Sequence, residues 1–386
     1  MARAALEEWR RRIREAVGAA AGDGGYPLEA VRRLLALGVQ RIPFDPTVGG
    51  EGLGLRGFTA VLEDIAAVDG SLAAVVMGAY SAGAFLASAA TPEQRRALLA
   101  PLLAGEGMYA VAVTEPEAGT DVAAIRTRCR RLPDGTWRLD GRKAFISNTG
   151  HELWRGAVVL ARGPDPDRHT AFLVPADAPG FSLGPVRDTI GWSRVGVHDL
   201  VLDGVVVGDE RRLGEPGKGM GLALATFDRG RVAVASLACG LCRAAWEEAD
   251  AYARRRHSFG DPLVAHEAVA DHVLRLWRLY NRARLVTRQA AEAADAGLPL
   301  AVWAALAKWE ATDAAVEAAR LGVQVMGGRG LLRGTGAAAR WGDAKVLEIV
   351  EGTTEALTLV LRRRLRREGL AAAPEEEPRG AAHAGA

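Results

Sequence analysis

Cysteine is scarce in this chain of 386 residues: there are 3, Cys129, Cys239 and Cys242. That is too few for a disulfide framework and agrees with a reducing compartment. Excess charge of either sign is also missing. Lys plus Arg number 49 against 47 Asp plus Glu, a formal charge of +2, so no general field attracts nucleic acid or an anionic membrane. No stretch reads as the uncharged apolar run of roughly 18 residues that a membrane helix requires. The opening MARAALEEWRRRIREA mixes acids with arginines, unlike a secretory signal or a transit peptide. The expectation is a cytoplasmic protein with neither a nucleic-acid nor a membrane partner.

Two motif classes are missing as well. A doubly wound nicotinamide enzyme would show G-x-G-x-x-G between a strand and a helix. GGRGLLRG at 327–334 has arginine where the third glycine belongs, and GEPGKGMG at 214–221 follows Lys218 with glycine rather than Ser or Thr. Both read as turns. Cys239 and Cys242 form C-x-x-C inside VAVASLACGLCRAAWEEADAYARR, a helical run with no βαβ pattern before it and no second Cys or His pair. Helix packing is favoured there over redox chemistry, and no metal site is expected.

With 49% hydrophobic and 25% charged residues, the chain can bury a large core in two or three packed units. Over 1–108, EAVRRLLALGV, LRGFTAVLEDIAAVD and PEQRRALLAPLLAG carry apolar residues at helical spacing, with PFDPTVGGEGLG as a Pro and Gly loop between them. Over 109–218, TWRLDGRKAFIS, GAVVLARG, HTAFLVPAD and HDLVLDGVVV are β-prone segments separated by turn signals such as PDG and DAPG. From 219 to 370 the helical period returns: Val269, Val273, Leu276, Trp277 and Tyr280 share a face, as do Trp303, Leu306 and Ala307. The predicted architecture is mainly α with a central β domain: an N-terminal helical domain, a small β-barrel-like domain and a C-terminal four-helix bundle. Residues 371–386 read as a disordered tail.

TEPEAGTD, KAFISN, FDRGRVAVAS, RRRHSFG, QVMGGRG and DAKVLEIVEGTTE occur in the order and at the spacings of the acyl-CoA dehydrogenases, which this chain resembles over roughly residues 25–367. The resemblance implies bound FAD that takes a hydride from the β-carbon of an acyl thioester while a glutamate removes the α-proton. Glu351 of IVEGTT matches that base. A desolvated carboxylate is a stronger base than one in water, and Ile349 and Val350 could supply a dry wall. A plainer reading has Glu351 pair with an arginine or cap the final helix. Some members carry the base just before the arginine of FDRGRV; here that position is Gly230.

By the same resemblance, Val111, Val113, Thr114, Gly119 and Thr120 would line the flavin, Thr114 at the pyrimidine edge and Thr120 also near the substrate. Phe145, Ile146 and Ser147 would cover its other side, in a smaller variant of the usual Trp and Thr arrangement. Arg256, Ser258, Phe259, His266, Gln324, Gly327 and Gly328 would hold the adenosine diphosphate half of a flavin bound mainly by a neighbouring subunit. Gly352, Thr353 and Glu355 open the last helix, whose N–H groups suit a phosphate. Asp228 and Arg231 match positions that hold the pantetheine and thioester region, though a plain charge pair would look the same. Shared flavin implies a homotetramer built as a dimer of dimers, and an electron-transfer flavoprotein as acceptor.

Three departures stand out: Glu267 replaces a glutamine, Gly342 replaces an arginine before Asp343, and GWSRVGVHDL is a loose version of its counterpart. Alternatives kept open are a flavin-dependent oxidase or monooxygenase on the same fold, and a flavin-free scaffold. The motifs are compatible with an acyl-CoA and with a thioester on an acyl-carrier protein. GAYSAGAFLASAA at 78–90 is the candidate pocket floor.

Overall fold

The structure is a computed structural model and describes residues 2–18, 25–165, 168–370 and 374. The expected tail at 371–386 therefore lies outside the described residues, Pro374 apart. Two compact units divide the chain at Phe227 and Asp228.

The first unit opens with helices α1 (Ala2–Gly18), α2 (Leu28–Leu37), α3 (Gly54–Val68) and α4 (Gly70–Ala89), then short turns α5 (Pro92–Gln94) and α6 (Ala100–Leu103) joined by a π turn. α2 ends at Gly38, whose φ of 87° lets its N–H reach back to the Leu34 and Leu35 carbonyls. Arg10 and Arg14 of α1 both donate to the fully buried Asp64 of α3. Asp69 caps α4 by accepting from Leu72 N.

α4 corrects one expectation. It is an uncharged apolar run of 20 residues, and most of it is buried. Its apolar residues surround it on all sides because it is the central core helix of this unit. Its small residues serve close packing: a Cβ at Gly83 would lie 2.8 Å from the Phe44 ring, and one at Gly78 would lie 3.3 Å from Asn148. Those two positions of the expected pocket floor are thus occupied by neighbouring side chains.

The sheet contains β1 (Met108–Ala112), β2 (Arg128–Arg131), β3 (Trp137–Ser147), β4 (Trp154–Arg162), β5 (His169–Pro175), β6 (Phe181–Val186), β7 (Val197–Val207) and β8 (Arg212–Leu213). Its order is β6-β7-β3-β2-β4-β5-β8, with β1 parallel to β4. Buried Leu139, Ile146, Val159, Phe172, Val174, Leu200 and Val205 form its core.

Helix α7 (Gly219–Arg255) carries the chain from the first unit into the second. There α8 (Glu267–Asp295), α9 (Ala301–Met326), α10 (Gly336–Ile349) and α11 (Thr354–Glu368) follow, with a small hairpin of β9 (His257–Ser258) and β10 (Asp261–Pro262) after α7. α9 is central: α8, α10 and α11 all pack on it, and the face bearing Ala304, Ala307, Ala311, Ala314, Ala315 and Ala318 is buried. Trp246 of α7 stacks on Tyr280 of α8 at 6.0 Å. Of the face expected on α8, Val273, Leu276 and Tyr280 are buried but Trp277 is 50% exposed, because four residues per turn overshoots a stripe that repeats every 3.6. Cys239 and Cys242 are buried in α7, and Cys239 Sγ lies 3.5 Å from Thr287 Oγ1 of α8.

Candidate active site

In the first unit, β1 ends at Ala112 and the chain leaves the sheet through a tight turn in which Glu115 and Ala118 exchange backbone hydrogen bonds. The buried Glu115 carboxylate accepts from Arg126 N, Thr127 N and Lys143 Nζ, the last at 2.8 Å. Lys143 Nζ also donates to Val113 O, and Ala144 N donates to Thr114 O. A buried ion pair, completed by backbone groups, thus ties the segment carrying Val113 and Thr114 to the strand carrying Phe145, Ile146 and Ser147. Burial lowers the Lys143 pKa to about 8 against the pull of Glu115.

Phe145 adopts a left-handed φ of 58° and is 59% exposed. An exposed aromatic in a strained conformation requires support. Its N–H points to Asp199 Oδ1 at 3.4 Å, and the Arg187 guanidinium lies 5.3 Å from the ring centre. Asp199 of β7 is buried and paired with both Arg187 and Arg142, and the Arg187 hydrogen bond leads in drawing its pKa to about 2. Thr114 and Ser147 are half-buried and Thr120 is exposed, so their hydroxyls are reachable. Val113 and Ile146 are buried, and the Ile146 side chain belongs to the sheet core. Only their backbone can face a ligand.

In the second unit, Glu351 follows α10 and has a φ of 55°. Gly352 follows with a φ of 99°, and Thr353 caps α11 by accepting from Ala356 N. The cap is therefore Thr353, not Glu351. Nor, among the described residues, does an arginine hydrogen-bond the carboxylate: Arg231 Nε donates to the Glu351 backbone carbonyl at 3.1 Å, while its Nη1 pairs with Asp228 at 2.6 Å. Glu351 Oε2 is a buried atom without a hydrogen-bond partner among the described residues. Its surroundings include Gly230, where a Cβ would lie 3.0 Å from the Glu351 carboxyl carbon and 3.1 Å from both oxygens. Of the two expected wall residues, Ile349 is 54% exposed and does not serve, while Val350 is half-buried. Burial raises the Glu351 pKa to about 7; Arg231 and Lys308 oppose the rise and Asp228 adds to it. An orphaned carboxylate oxygen beside a glycine gap can take up a proton.

The remaining second-unit candidates gather at another place. Tyr252 of α7 packs against Val323, Met326 and Ala337, so the ends of α7 and α9 share one end of the bundle. Arg256 and Phe259 are exposed there, Phe259 at 97% with a φ of 52°, and His266 Nε2 lies 3.0 Å from Ser258 O. Gln324, Gly327 and Gly328 end α9, and a Cβ at either glycine meets nothing within 4 Å. These open glycines, an exposed aromatic and an exposed arginine fit a nucleotide diphosphate. Glu267 is an exposed acid in the first turn of α8 and Gly342 is a half-buried residue within α10. Glu355 is an exposed acid in the first turn of α11.

Lys143 with Glu115, Asp199 with its two arginines, and Lys308 did not emerge from the sequence reading. Lys308 left one signal: a lone cation among the alanines of AVWAALAKWEATDAAV.

Family models for the N-terminal, middle and C-terminal domains of acyl-CoA dehydrogenase match residues 1–106, 110–205 and 217–366. A short-chain specific acyl-CoA dehydrogenase from Megasphaera elsdenii is 32% identical over 87% of this chain and 89% of its own length. The mitochondrial short-chain specific enzyme of Bos taurus is 32% identical over 87% of this chain and 82% of its length. Among solved structures, butyryl-CoA dehydrogenase from Megasphaera elsdenii superposes with a TM-score of 0.90 at 30% identity, covering 94% of this chain and 98% of that one. A prolyl acyl carrier protein oxidase, with a TM-score of 0.88 at 22% identity, shares the fold. This chain belongs to the acyl-CoA dehydrogenases, a family of generally FAD-dependent oxidoreductases.

Proposed function

We propose that this protein converts a short acyl-CoA to its 2-enoyl thioester, with Glu351 as the base that removes the α-proton. The observation that carries the reading is the buried, unpartnered Oε2 of Glu351 at a left-handed turn. An acid held near a pKa of 7 by burial is partly ionised at neutral pH and yet basic enough to abstract a proton.

Bound FAD supplies the hydride acceptor. The chain's own groups do the rest. Glu351 receives the α-proton on a carboxylate oxygen, and its backbone N–H stabilises the enolate-like charge on the thioester oxygen. Asp228 and Arg231 hold the thioester end of the substrate. In the first unit, Val111, Val113 and Thr114, Gly119 and Thr120, and Phe145, Ile146 and Ser147 line the flavin, Val113 and Ile146 through backbone atoms. In the second, Gly352, Thr353 and Glu355 offer the start of α11 to a phosphate.

Arg256, Ser258, Phe259, His266, Gln324, Gly327 and Gly328 hold the adenosine diphosphate half of the flavin of a second copy. The 24 helical steps from Arg231 to Arg255 span about 36 Å at 1.5 Å each, more than one extended FAD bridges. This separation supports a flavin shared between two copies, and the assembly proposed is a tetramer made of two dimers. The acceptor of the electrons is an electron-transfer flavoprotein.

The test is anaerobic addition of butyryl-CoA and longer and branched acyl-CoAs to the purified holoenzyme. The expected result is bleaching of the flavin absorbance with formation of enoyl-CoA, followed by reduction of an artificial acceptor with little peroxide in air. An enzyme that is never bleached, or that releases peroxide in proportion to substrate, contradicts the reading.

A further inference from the structure

Glu351 holds a left-handed φ of 55°, a strained conformation for a residue with a Cβ, so neighbouring groups must fix it. Lys308 of α9 meets that need. Its side chain is fully buried, and its Nζ donates to Glu348 O at 3.0 Å and Gly352 O at 2.6 Å. The first carbonyl belongs to the last turn of α10, where it has no helical partner of its own. The second lies just beyond Glu351. Arg231 Nε takes the carbonyl between them, that of Glu351 itself. Two cations from α7 and α9 therefore grip the backbone before, at and after the carboxylate.

We propose that Lys308 is a positioning residue for Glu351, its ammonium group bridging the Glu348 and Gly352 carbonyls to hold the turn that presents the carboxylate. A plain salt bridge would not explain this arrangement, because both Nζ hydrogen bonds go to backbone oxygens. An apolar side chain there would leave both carbonyls without this donor. The same ammonium group also favours the ionised carboxylate. The charged groups acting on this pair are Arg231 and Asp228 on α7, Glu348 on α10 and Asp313 on α9. Of these, Arg231 reinforces Lys308 on Glu351 and Asp228 opposes it. Removal of Lys308 thus loosens the turn and moves the Glu351 titration upward.

The inference rests on the reading of Glu351 as the base, and the experiment separates the two. Lys308→Met and Glu351→Gln holoenzymes are compared with the wild type in anaerobic bleaching by butyryl-CoA across pH 6–9. The Glu351 carboxyl is also titrated without substrate, by its infrared band after subtraction of the Glu351→Gln spectrum. Lys308→Met is expected to keep its flavin, to bleach about 10–100-fold more slowly at pH 7, and to titrate higher in both measurements. Wild-type bleaching and an unmoved carboxyl titration in Lys308→Met, with bleaching lost in Glu351→Gln, overturn the inference alone. Wild-type bleaching in Glu351→Gln overturns the base assignment itself. If Lys308→Met does not fold, Lys308→Gln, whose shorter side chain cannot span both carbonyls, decides: slowed bleaching with the flavin spectrum retained supports the proposal and wild-type bleaching refutes it.

Discussion

Gly230→Ala is the smallest change that reaches the proposed base without touching it. The new Cβ would stand 3.0 Å from the Glu351 carboxyl carbon and 3.1 Å from each oxygen, where ordinary contact begins a few tenths of an ångström further out. Gly230 lies within α7 and is not among the positive-φ glycines, so the backbone accepts alanine and the conflict is confined to the pair. The atoms met are the end of a rotatable side chain, so the carboxylate yields rather than the helix. The stability cost is then at the low end of the roughly 1–3 kcal/mol of overpacking. A misplacement of about 1 Å at a reacting group costs up to about 100-fold in rate, and a shift of a few tenths costs about 10-fold. Stopped-flow bleaching by butyryl-CoA, beside flavin absorbance and thermal unfolding, reads all three. The reasoning fails if Gly230→Ala bleaches at the wild-type rate, or if its loss of rate merely follows a loss of flavin.

The bleaching rate of the wild type is expected to rise with pH through an apparent pKa near 7, set by burial of Glu351, whereas a profile flat from pH 5.5 to 8.5 contradicts it. Because burial raises this pKa from 4.5, the stability that Glu351 contributes is present below about pH 4.5 and lost as pH rises through about 7. Chemical denaturation at pH 5 and 8 should therefore favour Glu351→Gln over the wild type more at the higher pH. Lys143→Met leaves the buried Glu115 carboxylate without its cation, a loss of roughly 3–5 kcal/mol. Its melting temperature and flavin content should both fall, and an unchanged flavin content would show that the ion pair does not govern the flavin-lining segment.

The helical and β segments were legible because amphipathic periods report directly which face is buried: EAVRRLLALGV and HDLVLDGVVV both show it. The uncharged α4 was not legible, since a helix covered on every side has no polar face to set its period. The candidate base was placed by neighbouring motifs in register, and its carboxylate is desolvated as expected, but part of the wall around it differs. Sequence adjacency pointed to Ile349 and Val350, whereas the side chain faces Gly230, 121 positions away along the chain. The same limit hid Lys308, 43 positions from Glu351, and Asp199, 54 positions from Phe145. Helix packing and strand pairing create these neighbours, and no local spacing encodes them.

The most direct measurement is the anaerobic rate constant for flavin bleaching by butyryl-CoA in Glu351→Gln holoenzyme. The Gln side chain keeps the size and loses the proton acceptor, so the rate should fall by at least about 100-fold, the lower bound for a general base, with the flavin spectrum unchanged. A rate within a few-fold of the wild type would mean that another group takes the α-proton.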